Sequence, residues 1–263
     1  MKNKVFILFF LFGFFFLVNK SYSDLDVCYP EEQEKICNDW TTYGFDMTYL
    51  GCSVHVDYMV RTCQITSPNC DNGKTHMRLE TKLLNISWDE NCYLQTIMFP
   101  GWPNNFSDIN YVQFGVLFSQ ASSLMAEKAF ENYYNSLDED KKSDYQCLGT
   151  PPDCSNPVWQ GKCEADVYYS NFTCQYICYY FKDAGTGGQG PGVITMTHPC
   201  ESETSTCCAH YVKFCRCGNQ FYKTTMIEGE GLCQGAQPPS ANPCFNIQGY
   251  TGYSSKECTT ICQ

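Results

Sequence analysis

Twenty cysteines in a chain of 263 residues, all at or beyond position 28, set the terms on which this sequence can fold. They are Cys28, Cys37, Cys52, Cys63, Cys70, Cys92, Cys147, Cys154, Cys163, Cys174, Cys178, Cys200, Cys207, Cys208, Cys215, Cys217, Cys233, Cys244, Cys258 and Cys262. An even number at this density reads as a disulfide framework. Metal is the rival use of so many sulfurs. Structural zinc sites usually draw on pairs separated by two residues, and no two cysteines here stand three apart. The close pairs are Cys207-Cys208, Cys215 with Cys217, Cys174 with Cys178, and Cys258 with Cys262. The same gap excludes thioredoxin-type and haem-attachment motifs. All twenty are therefore structural disulfide candidates, and no metal, cofactor or catalytic residue is expected.

Such a framework forms in an oxidising compartment, and the N-terminus carries a matching address. Lys2 and Lys4 precede a run, Val5 to Val18, that is apolar apart from Gly13. Asn19 and Lys20 end the run, and Ser21 and Ser23 stand at −3 and −1 of a cut before Asp24. This is the layout of a secretory signal. Fourteen helical residues reach only about 21 Å, short of the hydrocarbon core of about 30 Å. The reading is thus a signal peptide over 1–23, no integral membrane segment after its removal, and a protein that is secreted or at the cell surface, or periplasmic in a bacterium. Removing 1–23 takes away three lysines of the 17 basic residues and none of the 28 acidic ones, so the charge becomes 14 − 28 = −14. A surface this acidic repels phosphate backbones, and nucleic acid is excluded as a partner.

Beyond the signal the pattern predicts an α+β fold: antiparallel strand pairs and one long helix, rich in disulfides. A β-rich part over 24–106 precedes a helical segment over 107–146 and a disulfide-dense β-rich part over 147–263. Val54, Val56, Tyr58 and Val60 alternate with His55, Asp57 and Arg61, the period of a half-buried strand. After the turn residues Asp71-Asn72-Gly73, Met77, Leu79, Thr81 and Leu83 alternate with His76, Arg78, Glu80 and Lys82. Ile109 to Leu137 carries apolar residues at three- and four-residue spacing, with Ser107 or Asp108 as its cap. Further strand pairs are expected over 164–169 with 173–181, around Ser170-Asn171-Phe172, and over 208–216 with 220–227, around Cys217-Gly218-Asn219. The glycine-rich stretch 183–192 reads as a loop.

Chemistry is sparse. On one strand face Asp57 is placed to orient His55. The spacing Cys52-x2-His55-x5-Arg61 recurs as Cys207-x2-His210-x5-Arg216, but Val212 stands where the first copy has Asp57, so a catalytic role does not transfer between copies. Cys207-Cys208-Ala209-His210 resembles part of the histidine segment of secreted phospholipases A2. It lacks one residue before the histidine, and Tyr211 replaces the partner aspartate, so that activity is not implied. Nucleophile-elbow, zinc-protease, phosphate-loop and EF-hand patterns are absent. Three sequons, at Asn85, Asn105 and Asn171, matter only in a host that glycosylates them.

The stretch from Pro199-Cys200 through Cys207-Cys208 to Tyr211–Cys217, together with Tyr58-Met59-Val60-Arg61-x-Cys63, resembles a group of cysteine-rich exported bacterial proteins of unknown function. The resemblance implies export and disulfides and brings no catalytic residue. The function expected is that of a non-enzymatic extracellular or cell-surface structural or binding protein, its partner a protein or glycan. The alternative is a secreted hydrolase whose site is assembled from residues distant in sequence.

Overall fold

A computed structural model describes residue 28 and residues 35–66, 75–89, 91–104, 108–147, 165–172, 174–183, 191–200, 207–229, 238–239, 244 and 246–260. The expected signal peptide, the Asp71-Asn72-Gly73 turn, most of the glycine-rich loop, and Cys70, Cys154, Cys163, Cys233 and Cys262 lie outside the described residues.

The strands are β1 (Lys35–Cys37), β2 (Thr41–Tyr49), β3 (Cys52–Thr66), β4 (Thr75–Trp88), β5 (Val167–Phe172), β6 (Cys174–Lys182), β7 (Val193–Pro199), β8 (Cys207–Cys217), β9 (Gln220–Glu228), β10 (Tyr250–Ser254) and β11 (Thr259–Thr260). They join in one sheet, in the order β10-β6-β7-β4-β5-β8-β9, with β3 along β4, β1 and β2 on β3, and β11 on β6. Helical segments are α1 (Leu94–Met98), α2 (Tyr111–Ser136) and α3 (Glu139–Lys142). No helix among the described residues is long and apolar enough to cross a membrane.

Two expected pairs form. β3 and β4 run antiparallel from Val54↔Trp88 to Thr66↔Thr75, with a register shift at Asp57/Tyr58. β8 and β9 pair around a turn in which Gly218 takes a positive φ of 61°. The pair expected around Ser170-Asn171-Phe172 does not form, because those residues are strand. One residue separates β5 from β6, too few for the shortest common hairpin turn. β5 instead pairs in parallel with β4 and antiparallel with β8, while β6 pairs with β7 and β10. The β4–β5 pair is thus a parallel contact in a sheet expected to be antiparallel throughout. Since β3 occupies the whole of one edge of β4, β5 and β7 share the other and the sheet forks there.

α2 covers one face of the sheet. Asn110, not Ser107 or Asp108, is its cap: Asn110 Oδ1 accepts from the Gln113 N–H at 3.2 Å, relieving one of the orphan donors of the first turn. Phe114, Leu117, Phe118 and Ala121 pack with Val54, Val56, Ile86, Trp88, Tyr179 and Phe181. One turn onward, Met125, Ala129, Phe130 and Tyr134 pack with Tyr58, Leu79, Val167 and Phe214. Phe130 stacks on Phe214 with ring centroids 4.3 Å apart. The opposite face of β6 and β7 carries a separate cluster of Tyr176, Tyr180, Cys174, Cys178 and Cys200 under Cys244, Ile247, Tyr250 and Cys258. Gly252 of β10 is a glycine because a Cβ there would lie 2.8 Å from the Tyr180 ring.

Disulfides Cys28–Cys207, Cys37–Cys63, Cys52–Cys92, Cys147–Cys215, Cys178–Cys244 and Cys200–Cys258 pair twelve of the described cysteines. Cys174, Cys208 and Cys217 are also disulfide-bonded.

Candidate functional site

The β2–β3 hairpin turns through two residues, Leu50 (φ 49°) and Gly51 (φ 82°). Positive φ at both central positions suits the right-handed twist of paired strands. Glycine adopts it freely, whereas a leucine there is displaced from its preferred conformations by about 1–2 kcal/mol. Leu50 is nonetheless 44% exposed. Its carbonyl accepts from the hydroxyl of Tyr93, itself 55% exposed. The loop bearing Tyr93 is tied to the hairpin by Cys52–Cys92, with Cα atoms 5.9 Å apart. Tyr49, beside the turn, donates its hydroxyl to Gln113 Oε1 at 2.9 Å. That contact brings the first turns of α2 to the same end of the sheet, and there Val112 and Val116, one turn apart, are exposed too. Four large apolar side chains thus stand in solvent on a turn, a loop and a helix that are bonded together.

The polar face of the same hairpin carries His55. Asp57 joins it, as the alternation predicts: His55 Nε2 lies 3.3 Å from Asp57 Oδ1. On the other side His55 Nδ1 lies 2.7 Å from Asp46 Oδ1, on β2, directly across the ladder. The hydrogen bond to Asp46 raises the imidazole pKa above its ordinary value, partial burial opposes this, and Asp57 adds to the rise. When protonated, the imidazole donates to both carboxylates and offers no lone pair; when neutral with its proton on Nδ1 toward Asp46, it leaves the Nε2 lone pair available. Arg61 does not belong to this group. Asp46 and Leu50 escaped the sequence reading because β2 was not recognised, although Tyr43, Phe45, Met47 and Tyr49 alternate with Gly44, Asp46 and Thr48 before a two-residue turn ending in glycine.

Arg61 reaches Glu80 instead, within a cluster the alternation placed in solvent. Arg78 (1% exposed), Glu80 (0%) and Lys82 (4%) are buried on the face away from α2. Glu80 accepts from Arg61 Nε at 2.7 Å and Arg78 Nη2 at 3.2 Å, and pairs with Lys35 Nζ at 2.5 Å. The Arg61 guanidinium and the Lys82 ammonium lie 4.4 and 4.2 Å from the Trp40 ring. Tyr168 donates to the Cys28 carbonyl at 2.8 Å, and Cys28–Cys207 fixes residue 28 over this face. Cys37, Cys63 and Glu80 also converge, but the two sulfurs are bonded to each other and are not thiolate ligands.

The remaining histidines are buried or half-buried. His210 stacks on Tyr169 with centroids 4.4 Å apart, and its Nε2 lies 3.4 Å from the sulfur of Cys208, a disulfide cysteine. His198 stacks on Tyr176 at 5.4 Å. Burial holds both pKa values down at about 4. His76 is half-buried on β4. His210 shares the face of Val212 and Phe214, toward α2, whereas His55 faces away from it. The two copies of the Cys-x2-His-x5-Arg spacing are therefore not structurally equivalent. Asn85, the sequon asparagine whose surroundings are described, is half-buried on β4 opposite Asp57. No protein-family model, curated protein or solved structure matches this chain.

Proposed function

We propose that this chain is an exported, disulfide-braced, non-enzymatic protein that binds an extracellular or cell-surface protein through the end of the sheet bearing Leu50 and Tyr93. One observation carries the reading: Leu50 is held in solvent in a conformation leucine disfavours, by its turn, by Tyr93 and by Cys52–Cys92. Strained residues kept in place by their surroundings gather at sites of function. An apolar group fixed before contact loses little entropy on binding, and tyrosine is enriched among residues that dominate binding energy. Val112 and Val116 extend the surface in the direction of a protein partner. A glycan-binding face needs several aromatic planes, and among the described exposed large side chains at this end Tyr93 is the one aromatic.

The test compares mature wild-type protein with Leu50→Asp and Tyr93→Ala for retention on intact cells of the native source and on a glycan array. Loss of cell retention by tenfold or more in both variants, with melting unchanged and no glycan bound, is the expected result. Retention unaffected by either change overturns the reading. Turnover of an ester, glycoside or peptide panel that is lost in a His55→Gln variant favours the hydrolase alternative.

A further inference from the structure

We propose that His55 Nε2 and Asp57 Oδ1 form a surface site for a divalent transition-metal ion of the zinc type, with Asp46 orienting the imidazole through Nδ1. The site is separate from the Leu50–Tyr93 surface and does not depend on it.

The sequence places the ligands. His55 and Asp57 are two apart on β3, so both side chains leave the same face of the strand. Metal–nitrogen and metal–oxygen bonds of about 2.0–2.2 Å at a tetrahedral angle set the two donor atoms about 3.3–3.6 Å apart. His55 Nε2 and Asp57 Oδ1 are 3.3 Å apart, which is long for a charge-assisted hydrogen bond. A histidine that ligates through one nitrogen almost always donates its other N–H to a carboxylate or carbonyl, which fixes the tautomer and ring plane. Asp46 Oδ1 supplies that acceptor at 2.7 Å from Nδ1.

β2 sets the spacing of the two donors. Gly44 stands opposite Asp57 in the ladder. A Cβ built there would lie 2.8 Å from His55 Nε2, 3.0 Å from its Cε1 and 3.2 Å from Asp57 Oδ1. Any other residue would press on both donors, so glycine at 44 is what lets the ring and the carboxylate keep this spacing beside β2. The His55 and Asp57 side chains keep 46% and 36% of their exposure, so water can complete the shell. Imidazole with carboxylate and water suits zinc, nickel or copper better than calcium or magnesium, which take oxygen ligands. Neither cysteine spacing nor histidine spacing along the chain pointed here, because Gly44 and Asp46 arrive from another strand.

Calorimetric titration of the mature protein with Zn2+ at neutral pH, in a buffer that does not chelate, tests the site. Co2+ absorption and imidazole nitrogen shifts report which ring is involved. The expected result is one equivalent bound reversibly, with the shift confined to His55 and a chelator restoring the starting spectrum. His55→Gln should abolish this binding, and Asp57→Asn and Gly44→Ala should each weaken it at least tenfold. Asp46→Asn should weaken it about 10-fold without removing it. Melting curves of His55→Gln and Asp57→Asn, both exposed on the hairpin, control for folding. Absence of binding up to millimolar Zn2+, or binding that persists in His55→Gln, overturns the proposal.

Discussion

Arg61 on β3 sets both its Nε and its Nη2 on one oxygen of Glu80 on β4, at 2.7 and 2.6 Å. The two residues are direct partners in the ladder, so the pair bridges neighbouring strands on a face closed to water. Lys35 reaches the other oxygen from β1 and Arg78 from within β4. One carboxylate thereby serves three cations drawn from three strands. Glu80→Gln keeps the volume and removes the charge they share. The expected loss is about 3–5 kcal/mol of unfolding free energy, the range for breaking a buried ion pair from one side. Urea unfolding measures it, and a loss below about 1 kcal/mol, the range of exposed pairs, would mean that water reaches this face.

That cluster also shows where sequence reading stopped. Alternation over 76–83 assigned the two faces of β4 correctly: Leu79 packs under α2 and Arg78, Glu80 and Lys82 point the other way. Period two sorts side chains between faces and says nothing about whether the polar face is covered. Here the cover comes from Lys35 and Trp40 and from residue 28, which is bonded to Cys207 across 179 residues of sequence. The β3–β4 and β8–β9 pairs were legible because each strand has clear alternation and a turn to separate it from the next. β6 was legible as a strand but not in its partners, since it is buried along both faces and its neighbours β7 and β10 are distant or later in the chain. Of the His55 group, only Asp57 was within reach of sequence, because the register of β2 against β3 is a tertiary fact.

His210 and His198 give the fold a directional pH dependence. Both are held uncharged by burial, with pKa values near 4 against an ordinary 6.5. The unfolded chain therefore takes up protons first as pH falls, and their contribution to stability is full above pH 6.5 and declines between pH 6.5 and 4. Each proton taken up only by the unfolded chain changes stability by about 1.4 kcal/mol per pH unit. Unfolding free energies of wild type and His210→Phe, measured at pH 7, 5.5 and 4.5, isolate one of the two from the carboxylates that also titrate. The variant should lose less stability than wild type across that interval, by about 2–3 kcal/mol at its acid end. Equal slopes would mean that His210 is hydrated and titrates freely.

The two clusters on opposite faces of β6 should part company under reductant. Ile177, Tyr179 and Phe181 face α2, and no cysteine lies within that helix. Tyr176, Cys178 and Tyr180 face a cover made of Cys244, Ile247, Tyr250 and Cys258, in which half the named cover residues are bridged cysteines. Cys178–Cys244 and Cys200–Cys258 span 66 and 58 residues. Loops of that size are worth about 4 kcal/mol each in the chain-entropy model, while a whole domain is stable by about 5–15 kcal/mol. Tyr253 still stacks on Tyr179 at 5.7 Å, five ladder pairs join β10 to β6 and two join β11 to it, but non-covalent contacts must then order the segment without the bridges. Hydrogen exchange with and without reductant at neutral pH reads the result by peptide. Amides over 244–260 should lose protection at once, while those of α2 between Phe114 and Phe130 keep most of theirs because their packing is apolar. Protection retained over 244–260 in the fully reduced protein would show that its aromatic and ladder contacts hold the cover without the bridges.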